Sequence, residues 1–408
     1  MSDAWRVLSG APLRRDEAVA VWDPVVRLCH WLLVAALTVS AMTGFLLGLP
    51  TLAWHLAAGG VVAGVLLVRT VWGVLGGPYA RFAGFAPSRA AVRAHVAGLV
   101  AAALRANAAR AGGLRAVLRA GVEREAAHER HLGHNPLGAL MVFALLLVSA
   151  LLVASGTVAL GGLYKQGPLR AFVSSAFAGD VYALHQPLAI VLLVLVSVHV
   201  LGVGFESLRG RESLVRAMVT GRKPRMPAAV AVRAARPHKL AAAGLGAALL
   251  LAGGFGIAAL AALPGRGVPP ARLDPVYADQ CGACHLAYSP SLAPASTWRG
   301  ILVDLQHHFG QDATLSAAQV AHIRAYLIAN SAEHWDSYPA RMMLRPAADG
   351  SRRLTAAPGW QRMHRGIPEA VFRSKAVYRR SACDACHTDA ASGRFAPQRI
   401  VMPEGAGS

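Results

Sequence analysis

The chain has 408 residues, of which 55% are hydrophobic and only 15% charged. That composition excludes a soluble multidomain protein and points to the membrane. The formal net charge of +20 raises nucleic acid as a partner. The arginines, however, lie in the loops between apolar runs, where membrane lipid is the natural counterpart, so no nucleic acid is expected.

Five apolar runs follow one another at about 28–49, 53–75, 137–160, 181–204 and 240–263, each near the roughly 20 residues that cross a bilayer. The first is too long for the apolar part of a cleaved signal peptide and lacks a small-residue cleavage pattern, so it is expected to stay as an anchor. Between the second and third runs stand Arg81, Arg89, Arg93, Arg105, Arg110, Arg115, Arg119, Arg124 and Arg130. Between the fourth and fifth stand Arg209, Arg211, Arg216, Arg222, Lys223, Arg225, Arg233 and Arg236. The opposite loops are poor in base, with only Lys165 and Arg170 between 161 and 180. By the positive-inside rule the N-terminus and both arginine-rich loops are cytoplasmic, and everything after Pro264 is outside. The fifth run has no charge between Lys239 and Arg266. It leads through the Gly/Pro-rich linker Leu263–Pro270 into a C-terminal domain.

Four histidines lie in the apolar runs, where a polar ring is costly and marks function. His30 opens the first and His55 the second, and His185 and His199 share the fourth, fourteen residues apart. That spacing is about four helical turns, roughly 21 Å, on nearly one face. The alternating direction of the runs puts His30 and His199 near the cytoplasmic surface and His55 and His185 near the outer one. Each depth-matched pair suits a porphyrin clamped between facing helices. Two non-covalent b haems are therefore expected. Arg69, fourteen residues after His55, reaches the depth of the His30/His199 site and is a candidate partner for a haem propionate; an arginine snorkelling to the interface is the alternative. His128, His131 and His134 are spaced three apart in a basic loop and read as a solvated loop or interface. Cys29 reads as a small core residue.

The last third of the chain carries Cys-x-x-Cys-His twice, as Cys281/Cys284/His285 and Cys383/Cys386/His387, using four of the five cysteines. In this pentapeptide both thiols add across the haem vinyl groups and the adjoining histidine becomes an axial ligand. A four-thiolate zinc site is the competing use of two Cys-x-x-Cys pairs; the long separation and the histidine after each pair favour two covalent c haems. Attachment takes place on the outer, oxidising side, which is where the charge pattern puts both motifs. Asp384 and Asp389 flank the second motif and read as solvated surface carboxylates, so the domain is expected to exchange electrons rather than to catalyse.

Residues 21–31, Val-Trp-Asp-Pro-Val-Val-Arg-Leu-Cys-His-Trp, resemble the opening of the bacterial cytochrome b561 family, which includes the cytochrome b subunits of nickel-iron hydrogenases. Trp22-Asp23, Arg27, His30-Trp31, His55 and the fourteen-residue histidine pair carry the resemblance over about 18–220. It implies a four-helix bundle with His30, His55, His185 and His199 as haem ligands, exchanging electrons with quinone. From about 275 to 403 the chain resembles the dihaem cytochrome c family, on Cys281-Gly-Ala-Cys-His-Leu-Ala-Tyr-Ser-Pro, Ser296-Thr-Trp-Arg, His308-Phe-Gly, Trp360-Gln-Arg-Met-His364-Arg and Cys383-Asp-Ala-Cys-His387. That resemblance implies a second histidine on each iron, His308 and His364. His307, beside His308, leaves that assignment open by one position. Methionine competes as sixth ligand, with Met342, Met343, Met363 and Met402 available.

The expected molecule is all-α. Residues 1–27 form a cytoplasmic N-terminus and 28–220 a membrane four-helix b-haem bundle. A cytoplasmic segment and fifth transmembrane helix follow over 221–264, and 265–408 make a mainly helical periplasmic dihaem domain. Its expected work, in a bacterial inner membrane, is electron transfer between the quinone pool and a soluble periplasmic cytochrome or haem protein. Three alternatives stand beside it: a hydrogenase partner subunit, a haem-based sensor with a weakly ligated c iron, and a superoxide-oxidising quinone reductase. The last needs an open cationic approach to the outer b haem, for which Lys165 and Arg170 are the candidates.

Overall fold

The computed structural model describes residues 18–48, 51–111, 132–210, 212–224 and 236–403. His128 and His131 lie outside the described residues. Five helices among the described residues are long and apolar enough to cross a membrane. They are α1 (Pro24–Ala41, continued by a π-helical turn Met42–Leu47), α2 (Leu52–Leu75), α4 (Pro136–Leu163), α5 (Ser175–Gly210) and α7 (Lys239–Ala262). Their large side chains face outward: Leu201 is 72% exposed and Phe255 78%. Apolar surface on that scale requires lipid around it. Two further helices, α3 (Arg89–Ala111) and α6 (Leu214–Thr220), lie in the basic connections. A two-stranded antiparallel ribbon pairs β1 (Ala18–Ala20) with β2 (Arg222–Pro224).

Chain contacts divide the protein into two compact units. The first comprises Met1–Thr38, Ala58–Val153 and Leu188–Leu251. Its core gathers Val21, Trp22, Val26, Ala80, Leu132 and Ala217. Asp23 organises the start of α1: one carboxylate oxygen caps the helix by accepting the Val26 amide at 3.0 Å, the other accepts the Trp72 indole N–H at 2.9 Å, and Pro24 opens the helix where its missing N–H costs nothing. Gly221, at φ +79°, ends α6 so closely against the chain that a Cβ would sit 2.5 Å from the Trp22 carbonyl. Its own carbonyl accepts the Val21 and Trp22 amides.

The second unit comprises Val39–Ala57, Ala154–Pro187 and Ala252–Ser408. Its C-terminal part is built from short helices: α8 (Pro275–Gly282), α9 (Ala295–Val303), α10 (Ala317–Ala329), α11 (Tyr338–Met343), α12 (Pro358–Met363) and α13 (Glu369–Arg373). One core joins Tyr277, Trp298, Leu302, Ile323 and Leu327; a second joins Val371, Phe372 and Val377 with Trp360 against them. A third cluster, Ala159, Leu163 and Ala178, receives Tyr164 and also Tyr338 from the C-terminal part. α5 starts at Ser175, several residues before its hydropathy rises. Asp336 explains the early start: it accepts both the Ser175 amide, at 2.9 Å, and the Ser175 hydroxyl, an anionic cap contributed by a distant segment.

Candidate functional sites

In the first unit His30 and His199 lie within electrostatic reach of each other. The His30 ring stands edge-on to Trp31 at 5.0 Å, and its Nδ1 is buried with no hydrogen-bond partner among the described residues. Arg69 is 6% exposed, so it does not snorkel. It donates one N–H to the Ala80 carbonyl at 3.1 Å and lies 4.6 Å over the Phe82 ring. A guanidinium has five N–H donors, which leaves donors for a propionate. His134 is not in a solvated loop: its ring packs 4.8 Å from Trp22 and 4.9 Å from Phe85, and burial holds its pKa down at about 3.

In the second unit the rings of His55 and His185 face each other at 6.3 Å. Nδ1 of His55 is 3.1 Å from both the Thr43 hydroxyl and the Ser40 carbonyl. Nδ1 of His185 is 2.8 Å from the Ser155 hydroxyl. Engaging Nδ1 orients the ring and leaves Nε2 for a metal. Small residues flank both rings: a Cβ on Gly44 would meet His55 at 3.4 Å, and one on Gly156 would meet His185 at 3.3 Å. This is a donor set and a shape that fit a bis-histidine haem. The sequence signal for Thr43 and Ser155 was only a hydroxyl inside an apolar run.

The first Cys-x-x-Cys-His motif closes α8. His285 lies 6.3 Å from His308 with the rings nearly parallel at 18°. Nδ1 of His285 is 2.8 Å from the Leu286 carbonyl, and Tyr288 stacks on the ring at 5.0 Å. His307 points away, exposed and bonded to Asp304 at 2.9 Å. At the second motif His387 and His364 lie 6.1 Å apart. Trp360 stacks on His364 at 4.3 Å, and the Trp360 carbonyl is 2.9 Å from Nδ1 of His364. Gly359 permits this arrangement, because a Cβ there would overlap the Met342 carbonyl at 1.9 Å. Met363, the nearest methionine competitor, is half exposed, and its sulfur accepts the Tyr338 hydroxyl at 3.4 Å. Burial pushes the pKa values of His308, His364 and His387 down, which keeps the rings neutral and able to donate a lone pair. Burial also pushes the Cys281 and Cys383 thiols up to about 11.

Each motif has a phenylalanine in the left-handed region beside a histidine: Phe309, φ +52°, next to His308 at 4.9 Å, and Phe395, φ +48°, next to His387 at 5.0 Å. For a non-glycine residue that conformation costs about 1–2 kcal/mol, and such strain collects at functional sites. The two motifs are tied together by the Tyr288 hydroxyl, which donates to the Ser381 carbonyl at 2.8 Å, and by Gly393, whose Cβ would strike Ser289. No cluster of three or more His, Cys, Asp or Glu side chains that could hold a metal ion forms among the described residues.

Three further readings are corrected. Asp389 is not a solvated carboxylate: Oδ2 accepts the Ala396 amide at 2.8 Å, and Oδ1 is buried without a partner among the described residues, as is Nδ1 of His387. Lys165 is 6% exposed, donating to the Val173 carbonyl at 3.0 Å and to Asp336 at 3.2 Å. Arg170 donates to the Ala261 carbonyl at 3.1 Å. Neither stands free as an open cationic approach: Lys165 is buried in its pairing with Asp336, and Arg170 is held against the end of α7, with its Nε buried and without a partner among the described residues.

Residues 21–221 match the family described as prokaryotic cytochrome b561, and residues 277–395 match dihaem cytochrome c. Among solved structures, the dihaem cytochrome c of Rhodobacter sphaeroides known as DHC is 33% identical, with 30% of this chain covering 96% of that one at a TM-score of 0.25. A new dihaem c-type cytochrome of Shewanella baltica OS155 is 29% identical, with 32% of this chain covering 93% of that one at a TM-score of 0.27. No curated protein matches the chain. The chain thus joins a prokaryotic cytochrome b561 domain, over residues 21–221, to a C-terminal part that belongs to the dihaem cytochrome c family, and together they make it a haem-carrying membrane protein of transmembrane electron transfer.

Proposed function

We propose that the chain exchanges electrons between a membrane quinone and a soluble periplasmic redox protein, using two b haems and two c haems in the bacterial inner membrane. His30 with His199 and His55 with His185 hold the b haems; Cys281, Cys284, His285 and His308 hold one c haem, and Cys383, Cys386, His387 and His364 the other. When bound, haem would supply a one-electron iron couple whose potential follows the side chains that hold it. The residues around it fix the rings of His55, His185, His285 and His364 through Nδ1, pack Trp360 and Tyr288 against His364 and His285, and tie the membrane and C-terminal parts together. The N-terminus and the arginine-rich loops face the cytoplasm by their charge. The observation that carries the reading is the opposed second histidine at both Cys-x-x-Cys-His motifs, with the His55/His185 pair in the same compact unit.

An opposed histidine at each motif argues against a sensor with an open c iron. Lys165 and Arg170 are engaged in structural contacts, which removes the cationic approach that a superoxide-oxidising quinone reductase would use. The fused dihaem domain supplies the redox neighbour that a hydrogenase-type subunit would seek in another chain. The test is the haem-loaded protein in proteoliposomes, with a benzoquinol in the bilayer and an oxidised soluble c-type cytochrome outside. Each quinol should yield two electrons and two protons, and two cytochromes should be reduced. Reduction of the b bands without reduction of the c bands or of the external cytochrome would refute the reading.

A further inference from the structure

The motif that comes second in the sequence is the one that adjoins the membrane part. Tyr182 lies parallel to the His185 ring at 6.4 Å. Tyr164, at the end of α4, has both Tyr182 and Tyr338 as electrostatic neighbours and faces Tyr338 at 6.5 Å. Tyr338 then donates its hydroxyl to the sulfur of Met363, the residue before His364. A second contact runs in parallel. Gln166 and Gln398 exchange amide hydrogen bonds at 3.1 Å, and the segment after Gln398 wraps the second motif: Ile400 bridges to His387 and the Val401 amide donates to the Cys386 carbonyl at 2.8 Å. Lys165, Ser175 and Asp336 clamp the chain two residues before Tyr338. The first motif, by contrast, makes its ring and hydrogen-bond contacts inside the C-terminal domain, through Leu286, Tyr288 and His308.

Building on the function proposed above, we propose that the Cys383/Cys386/His387 site is the membrane-proximal relay of the C-terminal domain. It is connected to the His55/His185 site through Tyr182, Tyr164 and Tyr338, and the Cys281/Cys284/His285 site is the terminal one that meets the soluble partner. The spatial order of the two c sites thus reverses their order in the chain. Burial pushes the Tyr164 phenol up to about 12, so that ring stays neutral while electrons pass.

The test uses full-length, haem-loaded protein in detergent. Cys383→Ser/Cys386→Ser removes the second c haem and Cys281→Ser/Cys284→Ser the first; after rapid mixing with quinol, the remaining c band is followed. The expected result is loss of c reduction in the first variant, with the b bands still reduced, and c reduction at the wild-type rate in the second. The opposite pattern, or loss in both variants, overturns the order. Wild-type protein that reduces its b haems but neither c haem refutes the function itself, which is a separate result. Loss of a haem can unfold its surroundings, so a second measurement keeps both haems attached. His364→Met or His308→Met marks one c iron in the oxidised protein, and His55→Ala removes the neighbouring b haem. The electron-spin relaxation of the His364→Met signal should change when that b haem is lost, and that of the His308→Met signal should not. The reverse overturns the proposal.

Discussion

Replacing Asp336 by alanine tests what fixes the C-terminal domain. The carboxylate accepts from Lys165 at 3.2 Å and from the Ser175 amide and hydroxyl, and lies 3.8 Å from the Arg266 guanidinium. The Lys165 side chain is 5% exposed and that of Asp336 28%. Removing one member of a buried pair costs about 3–5 kcal/mol, because the other charge is left without its partner. The lower end applies, since Asp336 keeps some contact with water and Lys165 retains the Val173 carbonyl. About 3 kcal/mol corresponds to roughly a 100-fold rise in the population in which this contact is open. Tryptic cleavage after Arg266 reads that population, because the Arg266 amide is bonded to the Arg170 carbonyl at 2.9 Å. Asp336→Ala should therefore be cut about 100-fold faster than wild type when opening is fast relative to cleavage. Lys165→Met keeps the apolar stem and removes the charge, leaving Asp336 its Ser175 bonds, so its cleavage should rise by less than about tenfold. Equal effects of the two substitutions would refute the reasoning. Acid should act like Asp336→Ala: burial raises the Asp336 pKa, but the Ser175 and Lys165 hydrogen bonds outweigh it and hold the carboxyl below its ordinary 3.8. The stabilisation is full above 3.8 and is lost as pH falls through that lower folded value.

Acid-acetone extraction should remove half of the haem, the non-covalent b fraction, and any other ratio in the pigment assay would contradict two b and two c haems. His199→Ala and His55→Ala should each lose a different b component in a low-temperature spectrum; loss of the same component in both would break the pairing. Ser155→Ala leaves Nδ1 of His185 without its 2.8 Å partner and should weaken retention of that b haem by about 10–100-fold, seen as haem loss to apomyoglobin, with the other b component unaffected. Asp389→Asn should raise the midpoint potential of the second c haem and leave the first unchanged in a redox titration. Asp389 acts electrostatically on His387, and a carboxylate near a ligating ring makes that ligand more basic.

What the sequence disclosed is what local chemistry demands. Charge-free apolar runs have no other stable fate than to cross the bilayer, and a Cys-x-x-Cys-His pentapeptide carries its reaction within five residues. Histidine depth could be counted along a helix because the rise per residue is constant. The unseen features are long-range. The Ser175 to Asp336 bonds join residues 161 positions apart, and the early start of α5 depends on them, so no window of hydropathy locates that helix end. The choice between His307 and His308 depends on a turn in which Phe309 takes a positive φ, a conformation that aromatic residues do not advertise. Asp389 looked solvated because a carboxylate beside a motif is usually exposed; its burial comes from the Ala396 amide and the turn that follows.

Lys165 and Arg170 show how a charge count can mislead about function. A loop with few cations made those two the natural binding groups for an anion, yet a sparse loop is also one in which each cation has structural work. Lys165, with its backbone at φ +52°, is turned inward onto Asp336, and Arg170 meets the end of α7 at Ala261. The Lys165 contact holds Asp336, two residues before the Tyr338 that faces Tyr164, so a residue first suspected of attracting a substrate instead positions the path proposed for electrons into the C-terminal domain. A linker that merely tethered that domain would let either c site approach the membrane part. Held by Asp336 on one side of α11 and by Gln398 beyond the second motif, the domain offers only one of them, and sequence order gives no hint of which, because the contacts come from segments that follow the first motif rather than precede it.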